Sequence, residues 1–337
     1  MRGARRRLRA AEPAGLLGRD PGRDPGQPLL PRRQLLARAG RRGGAVSGVG
    51  EPVTDTHLHL WDVDRLDYPW LSGATAAGTG RRLDRTHDVA EAAREVPATR
   101  SVMVQADCRD EQALDEVVWV SEQAGAGRAL GVDLVGVVAF APVEQPGLAR
   151  HLDALAEQPL VVGIRRLLQG QPAALLASDE LVAGLRLLGE RGLTFDVCVT
   201  ADQLDAGADL VARVPGTRCV LDHLGKPPLA EPARRDAWRA ALARLAAQPQ
   251  VVCKLSGLAA EAAPGVPLAE QAPWYLQQAL ELFGPDRCVV GSDWPVSAST
   301  GWTEWLELVD DALAGTSPQE RTAVLTGTAA RIYRWER

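Results

Sequence analysis

The sequence predicts a single-domain α/β fold, a (β/α)8 TIM barrel, and three observations carry that prediction. Eight short apolar runs recur from residue 53 onward, stretches with helical spacing separate most of them, and polar residues collect where the runs end. Near-continuous apolar strands alternating with amphipathic helices imply a parallel sheet covered by helices, and eight such strands favour closure over an open sheet. No Gly-x-Gly-x-x-Gly follows the first run, which disfavours a dinucleotide-binding sheet.

In order, the expected strands are 53–58 (VTDTHL), 101–106 (SVMVQA), 134–140 (LVGVVAF), 160–165 (LVVGIR), 193–199 (LTFDVCV), 218–222 (RCVLD), 250–255 (QVVCKL) and 287–291 (RCVVG). Between them, DEQALDEVVWVSEQA, SDELVAGLRLLGERG and EPARRDAWRAALARLAAQ read as helices. Asp110, Ser178 and Asp179 stand where N-caps belong, and Gly192 where a helix should stop.

Composition narrows the function classes. The chain has 337 residues, 46% of them hydrophobic, which is enough for a large core. A net charge of -5 and a pI near 5.7 give no general attraction to nucleic acid or an anionic membrane. No run of about 18 apolar residues is present, and the Arg-rich start lacks the apolar segment of a secretory leader. The expected setting is cytoplasmic, the expected partner a small-molecule substrate, and the expected assembly a monomer or homodimer. Five cysteines, an odd number without a Cys-x-x-Cys, fit buried reduced thiols.

Residues 1–50 differ from the rest, with twelve arginines, three acidic residues and no aromatic side chain. Such a polar, Gly/Pro-rich stretch buries too little surface to offset its ordering entropy. It reads as a disordered extension or as the product of a start codon called too early, with a basic tether as the alternative. Residues 51–337 are the expected barrel.

Barrel enzymes build their sites at the C-terminal ends of the strands. Here those ends carry His57 and His59, Gln105 with Asp107, Arg165 with Arg166, Asp222 with His223, Lys254 with Ser256, and Ser292 with Asp293 and Trp294. Residues two apart on a strand share a face, so His57 and His59 both point into the barrel mouth. Either two hydrogen bonds to a substrate or one metal ion suits that spacing. Of 38 basic residues only Lys226 and Lys254 are lysine. An ammonium and a guanidinium are not interchangeable, so the two survivors are candidates for sites where the amine itself matters. His87 and His151 read as packing residues, His87 with a weaker claim to a loop over the mouth.

The blocks DTHLHLWD, YPWL, VVGIRRLLQG, VLDHLGKP, CKLSGL and FGPDRCVVGSDWPV resemble the amidohydrolase superfamily. The likeness is to its amidohydrolase-related group of sugar and aromatic lactonases, with L-fuconolactonase and 2-pyrone-4,6-dicarboxylate lactonase among the activities. It runs over about 53–335. The superfamily's common two-metal centre uses a lysine on strand four and a histidine on strand five, where this chain has Arg165, Asp196 and Cys198. The resemblance therefore implies either no required cofactor or a single divalent ion, zinc or manganese, held by His57, His59 and Asp293.

The expected chemistry is hydrolysis of a lactone, with Asp293 as general base and His57, His59, His223 and Lys254 as donors that orient the lactone and its oxyanion. Arg165 is expected either to clamp a substrate carboxylate or to sit in a structural ion pair. Lys226 either binds a carboxylate or caps a helix. Gln105 is expected to add a substrate hydrogen bond, and Trp61, Tyr68, Trp70 and Trp294 either face a sugar ring or wall the rim. The alternatives are a metal-dependent decarboxylase or amide hydrolase on the same barrel, and an inactive binding barrel. A chain beginning at Gly50 is expected to keep full activity in a turnover assay, and a large loss would give the extension a function.

Overall fold

The computed structural model of the protein describes residues 52–73 and 82–335. The expected extension, residues 1–50, lies outside the described residues.

Eight parallel strands follow one another in sequence order around a single sheet: β1 (Thr54–Leu58), β2 (Arg100–Val104), β3 (Asp133–Ala139), β4 (Val161–Ile164), β5 (Thr194–Val197), β6 (Cys219–Leu221), β7 (Val251–Leu255) and β8 (Cys288–Val290). Each overlaps its predicted run. The sheet closes just past β8, where Leu58 bridges Trp294 in parallel. Across that seam the Asp293 N–H donates to His57 O (2.8 Å) and the His59 N–H to Trp294 O (2.8 Å).

Alternation along the strands sorts the valines into two cores. Val102, Val104, Val138, Val162, Val220, Val252 and Val289 point inward and pack with Ala329, Ile332 and Tyr333. The last three belong to the helix Thr328–Tyr333, which closes the N-terminal end of the barrel. Arg218, just before β6, donates to Ile332 O (3.0 Å), and Thr54 at the start of β1 shares a hydrogen bond with Thr326 (2.9 Å). A larger core, including Met103, Leu134 and Phe195, lies between the strands and the surrounding helices. The C-terminal end is thereby left open for a site.

The Ser178 hydroxyl accepts from the Leu181 N–H (3.2 Å) and caps the helix Asp179–Glu190, and Gly192, at φ +73°, lets the chain leave that helix. Asp110 does not act as the expected cap. Residues Asp110–Gln112 form one tight 3-10 turn, closed by the Gln112 N–H on Arg109 O (2.8 Å), so the helix begins later, at Ala113. All five cysteines are free and buried. No helix among the described residues is long and apolar enough to cross a membrane.

The helix Ala113–Ala129 carries one buried acid, Glu116, whose carboxyl accepts from the Ala106 N–H (3.0 Å). Burial pushes its pKa up to about 7 from an ordinary 4.5, although the Ala106 hydrogen bond opposes the rise. Between those two values the unfolded chain has released the proton and the native protein still holds it. Stability therefore falls as pH rises across that window, by about 3 kcal/mol at most, and stays reduced above it. Glu116→Gln keeps an acceptor for Ala106 without the charge. Denaturant titrations at pH 5 and pH 8 should show the variant gaining stability over the parent only at pH 8; equal loss at both would assign Glu116 no such penalty.

Candidate active site

The site begins at the seam. His57 is fully buried and its side chain enters the barrel because Gly291, opposite it past β8, has none: a Cβ there would lie 2.7 Å from His57 Cβ. Asp55 pins the same junction, accepting from the His57 N–H (3.0 Å), the Ser292 N–H (2.8 Å) and the Ser292 hydroxyl (2.6 Å). His59 projects beside His57, with its Nδ1–H donating to Val104 O (2.8 Å) and its Nε2 3.2 Å from His57 Nε2.

Asp293 and His223 complete the group from two left-handed positions, φ +56° and +51°. Such backbone is uncommon for residues with side chains and is enriched at functional sites. Asp293 Oδ1 lies 3.7 Å from His57 Nε2, 3.5 Å from His59 Nε2 and 3.8 Å from His223 Nε2, while its Oδ2 accepts from the Ser297 hydroxyl (2.7 Å). His223 Nδ1 pairs with the Ser256 hydroxyl (2.9 Å). Gly257 at φ +72° makes room for that ring, since a Cβ there would come within 2.3 Å of His223 Nδ1. The four residues expected to form the chemical centre, His57, His59, His223 and Asp293, thus converge on one point.

Electrostatics set their protonation. Burial lowers His57 well below its ordinary value, with Lys254 adding to the effect, and burial takes His223 down to about 4. Both are neutral imidazoles at neutral pH. Burial alone would raise Asp293, but His223, His59 and His57 hold it well below the usual carboxylate range. It stays ionised.

Lys254 departs from expectation. It lies fully buried beneath His57, with Nζ 2.7 Å from Asp196 Oδ2, 3.0 Å from Asp222 Oδ1 and 3.1 Å from His57 Nδ1. Tyr333 of the closing helix donates to Asp196 from below (3.1 Å). The ammonium belongs to the floor under the imidazoles and not to the wall facing a substrate, so the direct oxyanion contact expected of it is corrected. Burial would lower its pKa, but Asp196 and Asp222 hold it well above the ordinary value.

Above this floor opens a cavity of about 270 Å³. His59, His223, Asp293 and Arg165 line its depth, and Lys226, Asp107, Glu261, Gln169 and Trp70 line its mouth. Arg165 is braced by donating to Gln105 O (2.6 Å) and to Asp222 Oδ2 (3.5 Å), with Nη1 3.3 Å from His57 Nε2. Arg165 is thus in the expected ion pair with Asp222 and also lines the pocket. Lys226 faces the pocket from a left-handed turn.

Four expected substrate contacts are corrected. Gln105 follows inward-facing Val104, so its side chain turns away from the pocket and its amide oxygen accepts from the Asp107 N–H. Trp61 and Tyr68 are buried in a separate cluster with Leu66, Leu71, Leu83 and Ala106, where the Trp61 indole donates to Arg85 O (2.7 Å). Trp294 is buried too, edge-on to His87 with ring centroids 5.4 Å apart, and its indole donates to Glu95 (2.8 Å). The aromatic side chain that does reach the pocket is Trp70, fixed by its indole N–H on Ala106 O (2.7 Å) and 38% exposed. His87 packs between Trp61 and Trp294, and His151 lies 3.1 Å from Phe140 O, both as packing residues.

The donor set also fits one metal ion. Zinc bound at ~2.0–2.1 Å spaces tetrahedral ligand atoms about 3.4 Å apart. His57 Nε2, His59 Nε2 and Asp293 Oδ1 are separated by 3.2, 3.5 and 3.7 Å. Little movement would be needed to hold zinc or manganese there.

Residues 54–335 match the amidohydrolase family. An L-fucono-1,5-lactonase of Burkholderia multivorans is 34% identical over 295 residues, covering 83% of this chain and 95% of that enzyme. The L-fucono-1,5-lactonase of Burkholderia ambifaria is 35% identical over 217 residues, covering 60% of this chain and 72% of its own. A crystal structure of an amidohydrolase from Burkholderia multivorans with bound zinc superposes with a TM-score of 0.73 at 33% identity, over 84% of this chain and 99% of that one. A probable 2-pyrone-4,6-dicarboxylic acid hydrolase from Acinetobacter baumannii shares the fold, with a TM-score of 0.65 at 14% identity over 84% of this chain and all of that one. The matched span covers every strand of the barrel and all four converging residues, and the chain belongs to the amidohydrolase family.

Proposed function

We propose that the protein is a lactone hydrolase in which Asp293 activates water. The observation that carries this reading is the ionised Asp293 Oδ1 set within 3.5–3.8 Å of three imidazole Nε2 atoms at the base of a pocket. The L-fucono-1,5-lactonase relatives support a sugar lactone as the substrate class.

Water placed beside Asp293 gives its proton to Oδ1 as its oxygen bonds to the lactone carbonyl carbon. The carbonyl oxygen takes up negative charge, and His223 and Arg165, which line the pocket, are the groups placed to donate to it. The ring C–O bond then breaks, and the proton held on Asp293 passes to the departing alkoxide, which restores the carboxylate. Asp293 is a weak base in the resting site. Its low pKa secures the ionised form, and Ser297 on Oδ2 leaves Oδ1 free for the proton. A divalent ion held by His57, His59 and Asp293 would supply positive charge to the same developing oxyanion.

The mouth suits a hydroxylated ring. Trp70 offers a flat apolar face, Asp107 and Glu261 accept hydroxyl hydrogens, and Lys226 and Gln169 donate. Residues 51–337 are the catalytic unit in this reading, with 1–50 dispensable. The metal-compatible spacing favours one second reading, a metal-dependent decarboxylase or amide hydrolase, and chelation separates the two.

A panel of aldonolactones and aromatic lactones followed with a pH indicator should show turnover of L-fucono-1,5-lactone or a close stereoisomer. Silence across the panel, with and without zinc or manganese, would sink the proposal. Asp293→Asn should lower kcat by roughly 10²-fold or more, as for loss of a general base, and near-normal turnover would remove Asp293 from that role. Gly257→Ala crowds His223 and leaves Asp293 unaltered. It should cost kcat up to about 10²-fold through misplacement while far-UV circular dichroism stays unchanged. An unchanged kcat would show that the His223 pose is not needed.

A further inference from the structure

We infer that Lys254 is a positioning residue that holds the proton of His57 on Nε2, and that this tautomer sets the site against metal binding. A neutral imidazole has one N–H and one lone pair, whereas an ammonium can only donate. Lys254 Nζ stands 3.1 Å from His57 Nδ1 in hydrogen-bond geometry, so Nδ1 accepts. Asp222 Oδ1 is 3.3 Å from the same nitrogen and balances the ammonium as an ion pair at 3.0 Å, closer to the ammonium than to the ring.

The opposite face of the ring agrees with this assignment. Val104 O can only accept, so the proton of a neutral His59 lies on Nδ1 and its Nε2 carries a lone pair. His57 Nε2–H points at that lone pair across 3.2 Å, with Asp293 Oδ1 beyond at 3.7 Å. The His223 ring packs against His57 with centroids 4.3 Å apart.

A second arrangement is also present in outline. With its proton on Nδ1, His57 would turn that proton toward Asp222 and accept from Arg165 Nη1, 3.3 Å from Nε2. A metal ligated through His57 Nε2 requires this second form, because a protonated nitrogen cannot ligate. Adopting it sets the Nδ1–H against the Lys254 ammonium, donor against donor, in the dry floor of the barrel. Lys254 thereby makes metal binding unfavourable while keeping His57 a hydrogen-bond donor toward His59 and Asp293, whatever the pocket above them hydrolyses.

Two measurements on the full chain test this. In the metal-free protein labelled with 15N-histidine, His57 (assigned by loss of its signals in His57→Asn) should show a protonated Nε2 and an unprotonated Nδ1. A protonated Nδ1 would overturn the inference. Zinc affinity, read by competition with a colorimetric chelator, should rise at least tenfold in Lys254→Met/Asp196→Asn, which removes the ammonium and one carboxylate together and leaves the local charge unchanged. A variant that merely loosened the floor would bind zinc more weakly, and unchanged or weaker binding in the folded variant would also overturn it. Should the double variant not fold, the spectrum of the unaltered protein decides.

Discussion

The site depends on how the barrel closes. Two backbone hydrogen bonds across the β8–β1 junction, Asp293 N–H on His57 O and His59 N–H on Trp294 O, join the ends of the sheet and also set the carboxylate beside the two imidazoles. Closure and site assembly are therefore the same event. Asp55 reinforces it from below by accepting from both sides of the seam, and Gly291 permits it by leaving out the side chain that would strike His57. A change that loosened the seam would cost stability and geometry together, because the Asp293 backbone is itself one side of that seam.

The floor below is built of charge where a barrel of this kind is otherwise filled with valine. Lys254, Asp196 and Asp222 are fully buried, and isolated ions there would carry a large desolvation penalty. They persist as a connected group: the ammonium contacts both carboxylates, Tyr333 donates to Asp196, and Arg165 donates to Asp222. Substituting any one member leaves an uncompensated charge, so the group is more costly to break singly than to replace whole. The network runs from the helix that closes one end of the barrel to the imidazoles at the other.

Much of this was legible in the sequence, and what was not has identifiable causes. Strand positions followed from apolar runs and the spacing of turns, and the period of two put His57 and His59 on one face. The strand-end positions of His223 and Asp293 placed them in the same mouth. Periodicity tells which side a residue faces but not its depth. Lys254 shares the inward face with Val252 yet lies one layer beneath the site, so the argument from its rarity found a residue whose amine matters and misjudged what it touches. Gln105 was misread although alternation with Val104 already pointed it outward. Trp61, Tyr68 and Trp294 were grouped with Trp70 because they sit in the same motifs, and only tertiary packing separates three buried rings from one exposed one. Asp107 stands among the strand-end polar residues but has no spacing that assigns it a role, and Glu261 carries no pattern at all, since it lies in a short 3-10 turn after β7.

These two features, seam and floor, account together for how one donor set can be compatible with an ion and still be built for hydrogen bonding. The distances among His57, His59 and Asp293 come from the seam, and they suit a tetrahedral ion about as well as they suit a water and a carbonyl oxygen. Geometry at the surface of the site does not choose between those uses. The choice falls to whichever nitrogen of His57 carries the proton, and that is governed from beneath, where an ammonium and a carboxylate face the same Nδ1 at 3.1 and 3.3 Å. A difference of one buried cation on β7 is then sufficient, in physical terms, to separate a hydrogen-bonding site from a metal site on the same barrel without altering a single ligand.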